Sequence, residues 1–223
     1  MYEIQLFGRL EVRTRGVRLS GDDLGGAEPQ QILALLALHG ALRKDELVEL
    51  LWNGRPPAAH EDTMEGHLSL LRQRLDPDAA AHDSIITTAG GGYALVAEQV
   101  RVDVARFEEL VAAASGRSSR RALRPLTAAA HVAARPLLED VEQPGWAADA
   151  RERYRVRVMS ALLEAAGHAA AIGDAQTAHS LAAQALGLDP ASEQAQAIMD
   201  KAAASLAPAE PGETRHGHAL IPR

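Results

Sequence analysis

The segment Glu61–Leu75 has the residue types and the spacing of a helix that could contact a nucleic acid. Apolar side chains recur at every third or fourth position and predict one buried face, made of Met64, Leu68, Leu71 and Leu75. Short polar groups with arginines beside them cover the remaining surface, and the candidate contact residues are Thr63, Gly66, His67, Ser69, Leu70, Arg72, Gln73 and Arg74. Such a surface suits the major groove of DNA. An ordinary amphipathic surface helix shows the same periodicity, so the surrounding elements must decide between the two interpretations.

Histidines and carboxylates near this segment do not have the spacing of a metal site. His60 and His67 flank Glu61 and Glu65, but positions seven residues apart on a helix are separated by about 10.5 Å along its axis. The chain has no cysteine and lacks the HExxH spacing of zinc enzymes. We therefore expect neither a metal nor another cofactor.

The glycine run Gly90–Gly92 has the features of a hairpin turn and not of a phosphate-binding loop. It lacks the GxxxxGK[ST] pattern, and it joins two strand-like segments instead of opening a helix. Serine, histidine and aspartate residues occur elsewhere, but their spacing indicates no nucleophile–base set. The sequence therefore predicts that the protein is not an enzyme.

Two groups of arginines in the second half of the chain are further candidates for binding. The first forms a basic stripe at helical spacing and consists of Arg117, Arg120, Arg121 and Arg124. It could contact a phosphate or an acidic partner, but it could equally be a solvated face or a clamp onto carboxylates of the N-terminal half. The second group alternates along one segment, where we expect intramolecular ion pairs, and consists of Arg151, Arg153, Arg155 and Arg157.

The elements that would position the segment at 61–75 are short strands and helices. Alternating and β-branched runs predict a small antiparallel sheet with strands at Tyr2–Phe7, Leu10–Thr14 and Val17–Leu19. A helix is predicted from Pro29 to a stop at Gly40, and a second from about Lys44 to Asn53. After the third helix, strands at Ser84–Thr88 and Tyr93–Val96 enclose the glycine run and predict a β-hairpin.

The chain beyond Val102 is predicted to be helical, with helices at Phe107–Ala114, Ser118–Ala133, Ala147–Ile172, Ala175–Leu186 and a last one ending near Leu206. The segment Gly173–Pro190 resembles the second helix of a tetratricopeptide-type repeat. The predicted fold is mostly α with small β elements: a winged helix with an N-terminal sheet and a C-terminal hairpin wing, followed by an all-α domain. We expect domains at 1–98 and 99–206, and a flexible tail at 207–223.

Composition limits the class of protein. The lack of cysteine, of a long apolar run and of a signal peptide leads us to expect a soluble cytoplasmic protein with no membrane partner. The formal net charge is −7, and residues 1–100 hold 9 basic against 15 acidic residues, a balance of −6. A protein that neutralises DNA phosphates usually has a basic footprint, so this distribution opposes tight DNA binding.

Six segments, in this order, resemble the Streptomyces antibiotic regulatory protein (SARP) family of actinobacterial transcription activators. They are FGRLEV, LGGAEPQQILALLALHG, LVELLWNGRPP, TMEGHLSLLRQRL, IITTAGGGYAL and DVARFEELV. The resemblance implies a winged-helix DNA-binding domain and a helical bacterial transcriptional activation domain. It implies binding to double-stranded DNA at promoter repeats, association with the nucleoid and recruitment of RNA polymerase.

By position, the resemblance assigns base contacts to the third helix, at Thr63, His67, Ser69, Arg72 and Arg74. It assigns backbone or minor-groove contacts to the wing, at Thr87, Thr88, Gly90, Gly91 and Gly92. It makes the loop Asn53–His60 a segment that can touch polymerase. The chain departs from the family where basic residues are usual, at Glu28, Gln30, Gln73 and Ala94. Three functions therefore remain open. One is a sequence-specific regulator whose helical domain contacts polymerase or forms a homodimer. The others are an adaptor with weak or lost DNA binding and a small-molecule sensor.

Overall fold

The described part of the chain comprises residues 1–77, 84–141 and 145–207 of a computed structural model. It opens with a sheet of three antiparallel strands, β1 (Tyr2–Gln5), β2 (Glu11–Thr14) and β3 (Val17–Ser20). The predicted antiparallel arrangement is confirmed. A fourth strand at Val100–Val102 adds to the free edge of β1 in parallel, and the prediction from sequence missed it.

Three helices follow this sheet, each starting and ending within two residues of its predicted bounds. A 3₁₀ turn at Gly21–Leu24 leads to α1 (Ala27–His39), and α2 (Lys44–Trp52) and α3 (His60–Leu75) come next. Helix α1 is buried on nearly all sides because it lies at the centre of the N-terminal core, between α2, α3 and the wing strands. It therefore carries an almost unbroken run of Leu and Ala.

The wing is a three-stranded sheet and not the two-stranded hairpin that we predicted. A short strand β4 (Ala41–Arg43) pairs with β6 (Gly92–Leu95), which pairs in turn with β5 (Ile86–Ala89). The turn between β5 and β6 is formed by Gly90 and Gly91, both with positive φ. The strand that joins the first sheet is β7 (Val100–Val102).

The helical half consists of α4 (Asp103–Ala114), α5 (Ser119–Val132), α6 (Gly145–Ala171), α7 (Ala175–Leu188) and α8 (Glu193–Leu206). Consecutive helices pack against each other, as expected for helical repeats. Pro125 lies inside α5, and the helix continues through it. Within residues 1–77, 84–141 and 145–207, no helix has both the length and the apolar character needed to cross a bilayer.

The N-terminal sheet is bonded directly to the helical half. The carboxylate of Asp103, the first residue of α4, accepts hydrogen bonds from the backbone N–H groups of Leu6 (2.9 Å) and Phe7 (2.8 Å). The Phe7 ring packs edge-on against Phe107 of α4 and Tyr154 of α6, with ring centroids 5.7 Å apart in both pairs. A single hydrophobic core therefore extends from the sheet into the helices.

Candidate nucleic-acid interface

Helix α3 buries the apolar face that its periodicity predicts. None of its four seam residues is more than 3% exposed: Met64, Leu68, Leu71 and Leu75. The seam packs against α1 and the 3₁₀ turn. The other side faces solvent, and its exposed residues are Glu61, Asp62, Glu65, Gly66, Ser69, Gln73 and Arg74. This accessible surface could lie against a duplex without any change in the fold.

Four of the candidate contacts on α3 are only half-exposed: Thr63, His67, Leu70 and Arg72. The Thr63 hydroxyl donates to the carbonyl of Ala59 at 2.8 Å, within the first turn of the helix. The Arg72 Nε donates to the carbonyl of Ile86 at 3.1 Å. Arg72 therefore joins α3 to β5, so its loss would disturb the wing as well as any contact with a nucleic acid.

Two of the predicted contact residues, Leu70 and Gly92, have packing roles in the fold. A Cβ placed on Gly25 would lie 2.8 Å from Leu70 Cδ2, so the Leu70 side chain packs directly over the loop before α1. Gly92 is buried in β6, where a Cβ would lie 1.9 Å from the Leu42 carbonyl oxygen. Glycine is needed at 92 because β4 approaches there, and not because the tip of the wing requires it.

The exposed part of the wing lies beside α3. Thr87 and Thr88 on β5 are exposed, as are Gly90 and Gly91 at the turn. The bond from Arg72 ties the start of β5 to the C-terminal half of α3. Hydroxyls and backbone N–H groups at such a position can donate to phosphate oxygens.

A polar cluster that the sequence analysis did not find fixes α3 to the other wing strand. Lys44 Nζ lies 2.8 Å from Glu65 Oε1, and the Tyr93 hydroxyl donates to the same oxygen. The hydrogen bond from Lys44, followed by that from Tyr93, lowers the pKa of Glu65 from its ordinary value. No pattern in the sequence indicates this cluster, because its members come from α2, α3 and β6.

The C-terminal end of α3 is attached to the N-terminal sheet. Asp76 caps the helix, and its Oδ2 accepts a hydrogen bond from the Tyr2 hydroxyl at 3.0 Å. Arg15, in the turn between β2 and β3, forms an ion pair with the same oxygen at 3.2 Å. The sheet thus fixes the helix at one end, and the wing fixes it along one side.

Charge is distributed unevenly along α3. Its first turn carries Glu61 and Asp62, and its last turn carries Arg72 and Arg74. Both placements are favourable for the helix dipole. A polyanion would therefore be attracted to the C-terminal half of the helix and repelled from its first turn.

The predicted partner-binding segments are accessible. Every residue from 53 to 59 in the loop before α3 is exposed, and His60, which completes the predicted loop, is half-buried and begins α3. The four arginines of the stripe are exposed too, although Arg117 precedes α5 and only Arg120, Arg121 and Arg124 lie on the helix. Among the residues that the structure describes, none of the four forms an ion pair, so the clamp onto N-terminal carboxylates is not seen.

The second arginine group was predicted to form ion pairs, and this is correct for two of its members. Arg155 pairs with Glu152, and Arg157 pairs with Glu108 of α4. Arg151 instead donates to three backbone carbonyls, including that of Leu137 at 3.1 Å. Arg153 lies over the Tyr154 ring.

The described ranges contain no group of three or more histidine and acidic side chains arranged to hold a metal ion. His60 contacts the Pro57 carbonyl and the edge of Trp52. The predicted tail beyond residue 207, which contains His216 and His218, lies outside the described residues.

Two protein families match this chain. Residues 26–95 match the family described as "Transcriptional regulatory protein, C terminal", and residues 102–207 match the "Bacterial transcriptional activator domain". Both are families of transcription regulators and not of enzymes. The first match covers the three helices and the wing, and the second begins at the last residue of β7.

Individual relatives agree with these matches. The transcriptional regulatory protein MoaR1 of Mycobacterium bovis and that of Mycobacterium tuberculosis are each 29% identical to this chain over 108 residues. That alignment covers 47% of this chain and 34% of each relative, so the chain spans about a third of their length. The solved structure of Mycobacterium tuberculosis EmbR in complex with a low-affinity phosphopeptide superposes with a TM-score of 0.75 at 22% identity. It covers 92% of this chain and 55% of EmbR, and at that identity the likeness shows the fold.

Proposed function

Because this chain belongs to the SARP family of transcriptional regulators, we propose that it binds a specific DNA sequence by inserting α3 into the major groove. The observation that carries this proposal is the position of α3. Its leucine seam is buried, its opposite face is exposed, and the glycine-tipped wing lies alongside. A winged helix with this arrangement contacts bases with the helix and the sugar–phosphate backbone with the wing.

We assign the contacts according to exposure. Ser69, Gln73 and Arg74 are exposed on the C-terminal half of α3 and can donate to base edges or phosphates. His67 and Thr63 lie on the flank and are less accessible. Arg72 would contribute mainly by holding the wing in place, through its bond to β5.

The wing contacts are also assigned according to exposure. Thr87, Thr88 and the turn at Gly90–Gly91 are exposed and would face the adjacent backbone or minor groove. Few of these groups are cationic, so we expect few neutralised phosphates. Each neutralised phosphate makes the slope of log affinity against log salt steeper by about 0.9. The affinity should therefore depend only weakly on salt for a protein of this class.

Gel-shift titrations across a salt series test the proposal, with a duplex selected from a random pool by the protein itself. Arg74→Ala should weaken binding and reduce the salt slope by about one unit. Arg9→Ala is the matched control, because Arg9 is exposed in the β1–β2 loop of the same half of the chain. Equal binding by Arg74→Ala and the unchanged protein would discredit α3 as the contact helix.

Gly66→Ala provides a separate test of whether DNA lies against α3. No atom lies within 4 Å of a Cβ at this exposed helical position, so alanine fits in the free protein. It should stabilise the helix by about 1 kcal/mol. If DNA lies against α3, the added methyl should nevertheless change the affinity or the selected sequence.

We further propose that the helical half makes the protein contact of a regulator, with RNA polymerase or with a second copy of the chain. The exposed loop 53–59 offers a second polymerase contact on the DNA-binding half. Sedimentation with and without the selected duplex distinguishes a homodimer from a monomer.

An adaptor that acts without DNA is the alternative, and one observation favours it. Residues 1–100 have a balance of −6, and Glu61 and Asp62 are exposed at the start of α3. A failure to select any sequence from the random pool, with normal folding, would favour the adaptor.

A further inference from the structure

The four arginines of the stripe differ from the other arginines of the helical half. Arg106, Arg155 and Arg157 each pair with a carboxylate on their own or a neighbouring helix, and Arg135 pairs with Glu139 in the segment between α5 and α6. The stripe at Arg117–Arg124 is exposed and, within the described residues, forms no ion pair. In a chain of net charge −7 this is an unneutralised cationic surface. Concentrated like charge is unfavourable for the folded state unless a partner neutralises it.

Two of these arginines border a groove. Arg120, Arg124 and His131 of α5 line an open groove of about 590 Å³ together with Thr177 of α7. Its lining also includes the half-buried Leu123 and Ala128 and the exposed Thr127. The half-buried Leu123 packs onto the small-residue cluster of α6, α7 and α8.

The spacing along α5 defines what would fit. Arg120 and Arg124 are one helical turn apart, about 6 Å along the axis, with Leu123 on the same side. His131 is about 10.5 Å beyond Arg124. The groove therefore presents two cations, an apolar surface and a third polar group in a line of about 16 Å.

We propose that this groove binds an acidic segment of a partner protein, with carboxylates beside Arg120 and Arg124 and an apolar side chain on Leu123 and Ala128. The proposal deepens the partner contact proposed for the helical half, and it does not depend on DNA binding by α3. Arginine binds carboxylates in a bidentate geometry, which gives such a contact direction as well as charge complementarity.

An acidic peptide fits better than a nucleic acid. The centre of the groove is apolar, and a phosphodiester backbone has no apolar side chain to place there. Two hydroxyls line the groove, those of Thr127 and Thr177, and that of Thr127 already donates to the Leu123 carbonyl at 2.9 Å. Recognition through alternating charge and apolar surface is a property of peptide grooves, in which an amphipathic segment supplies both.

Peptide-display selection with the full chain tests the proposal. A library of random 12-residue peptides is selected against the unchanged protein and, in parallel, against the double variant Arg120→Glu/Arg124→Glu. Selected peptides are then synthesised and titrated by fluorescence polarisation. We expect enrichment of peptides with at least two carboxylates flanking an apolar residue, and a loss of at least about tenfold in affinity in the double variant.

Three controls make the result decisive. Arg9→Glu/Arg101→Glu makes the same charge change at exposed positions outside the groove and should leave peptide affinity unchanged. Thermal unfolding checks that both double variants fold. A labelled DNA duplex of random sequence is titrated against the same proteins.

Each result of the peptide and DNA titrations has a distinct interpretation. Selection of neutral peptides, equal binding by the groove variant, or no enrichment on the unchanged protein would each overturn the proposal. Loss of DNA binding in the groove variant, without selective loss of peptide binding, would assign the stripe to phosphate. Arg74→Ala should leave the peptide affinity unchanged, so failure of the DNA proposal and failure of this one are distinguishable.

Discussion

Asp103 is the residue whose loss should most weaken the attachment of the N-terminal sheet to the helices. Asp103→Ala removes the acceptor from the N–H groups of Leu6 and Phe7, which belong to residues that are 0% and 4% exposed. A buried backbone donor without a partner costs about 1–3 kcal/mol, so two such donors correspond to about 2–6 kcal/mol. Burial of the carboxylate offsets part of this, because desolvation raises the pKa of Asp103 and opposes its ionised form. We therefore expect a loss of about 2–4 kcal/mol.

Thermal and urea unfolding followed by circular dichroism measure this loss. For a chain of this size, 1 kcal/mol shifts Tm by about 2–4 °C, so Asp103→Ala should lower Tm by about 4–16 °C. Asp103→Asn keeps one carbonyl oxygen as an acceptor, so its Tm should lie between those of the unchanged protein and Asp103→Ala. Glu109→Ala is the control on the same helix, because Glu109 is exposed and forms only a surface ion pair with Arg106. If Asp103→Ala unfolds no earlier than Glu109→Ala, the proposed bonding is wrong.

The raised pKa of Asp103 predicts that the stability of the protein depends on pH. Its pKa is raised above the ordinary value of 3.8, so its titration contributes stability that is fully present below pH 3.8. That contribution is lost as the pH rises through the folded-state pKa. The free energy of unfolding of the unchanged protein, relative to that of Asp103→Asn, should therefore decrease as the pH rises. An increase would refute the assigned direction.

Two further predictions concern the wing. Gly92→Ala should destabilise the protein by about 1–3 kcal/mol or more, since its Cβ would meet the Leu42 carbonyl oxygen at 1.9 Å. Gly66→Ala, at a position with open space, should not destabilise it. Equal unfolding midpoints for the two variants would contradict the close approach of β4. Lys44 and Tyr93 lower the pKa of Glu65 below its ordinary 4.5, so their stabilisation is present above pH 4.5 and lost as the pH falls through the folded-state pKa. The stability difference between the unchanged protein and Glu65→Gln should accordingly shrink on acidification, and a pH-independent difference would argue against the cluster.

Much of the fold can be predicted from local patterns in the sequence. The seam of α3 has a strong helical period, and Gly40 and the Asp189–Pro190 pair end helices near the predicted positions. The hairpin was recognisable because β-branched residues precede a glycine run. These signals depend on neighbours within a few positions, so a single sequence is sufficient to reveal them.

The missed features depend on partners that are distant in the chain. Strands β4 and β7 are three residues long and have no periodicity, and each is defined by the strand it joins. The sequence predicts a single turn at Gly90–Gly92, but only Gly90 and Gly91 have positive φ, and Gly92 allows the close approach of β4. The link from Lys44 to Glu65 spans 21 positions and that from Glu65 to Tyr93 spans 28, beyond the reach of any local pattern.

The parallel pairing of β1 with β7 has a consequence for how the chain can be divided. A fragment ending at residue 98 would lack β7, which covers the outer edge of β1, and the Asp103 carboxylate, which binds the N–H groups of Leu6 and Phe7 just after that strand. An uncovered strand edge recruits strands from other molecules. We therefore expect the N-terminal half to be stable alone only when β7 and the start of α4 stay attached to it, although the first family match ends at residue 95 and the second begins at residue 102.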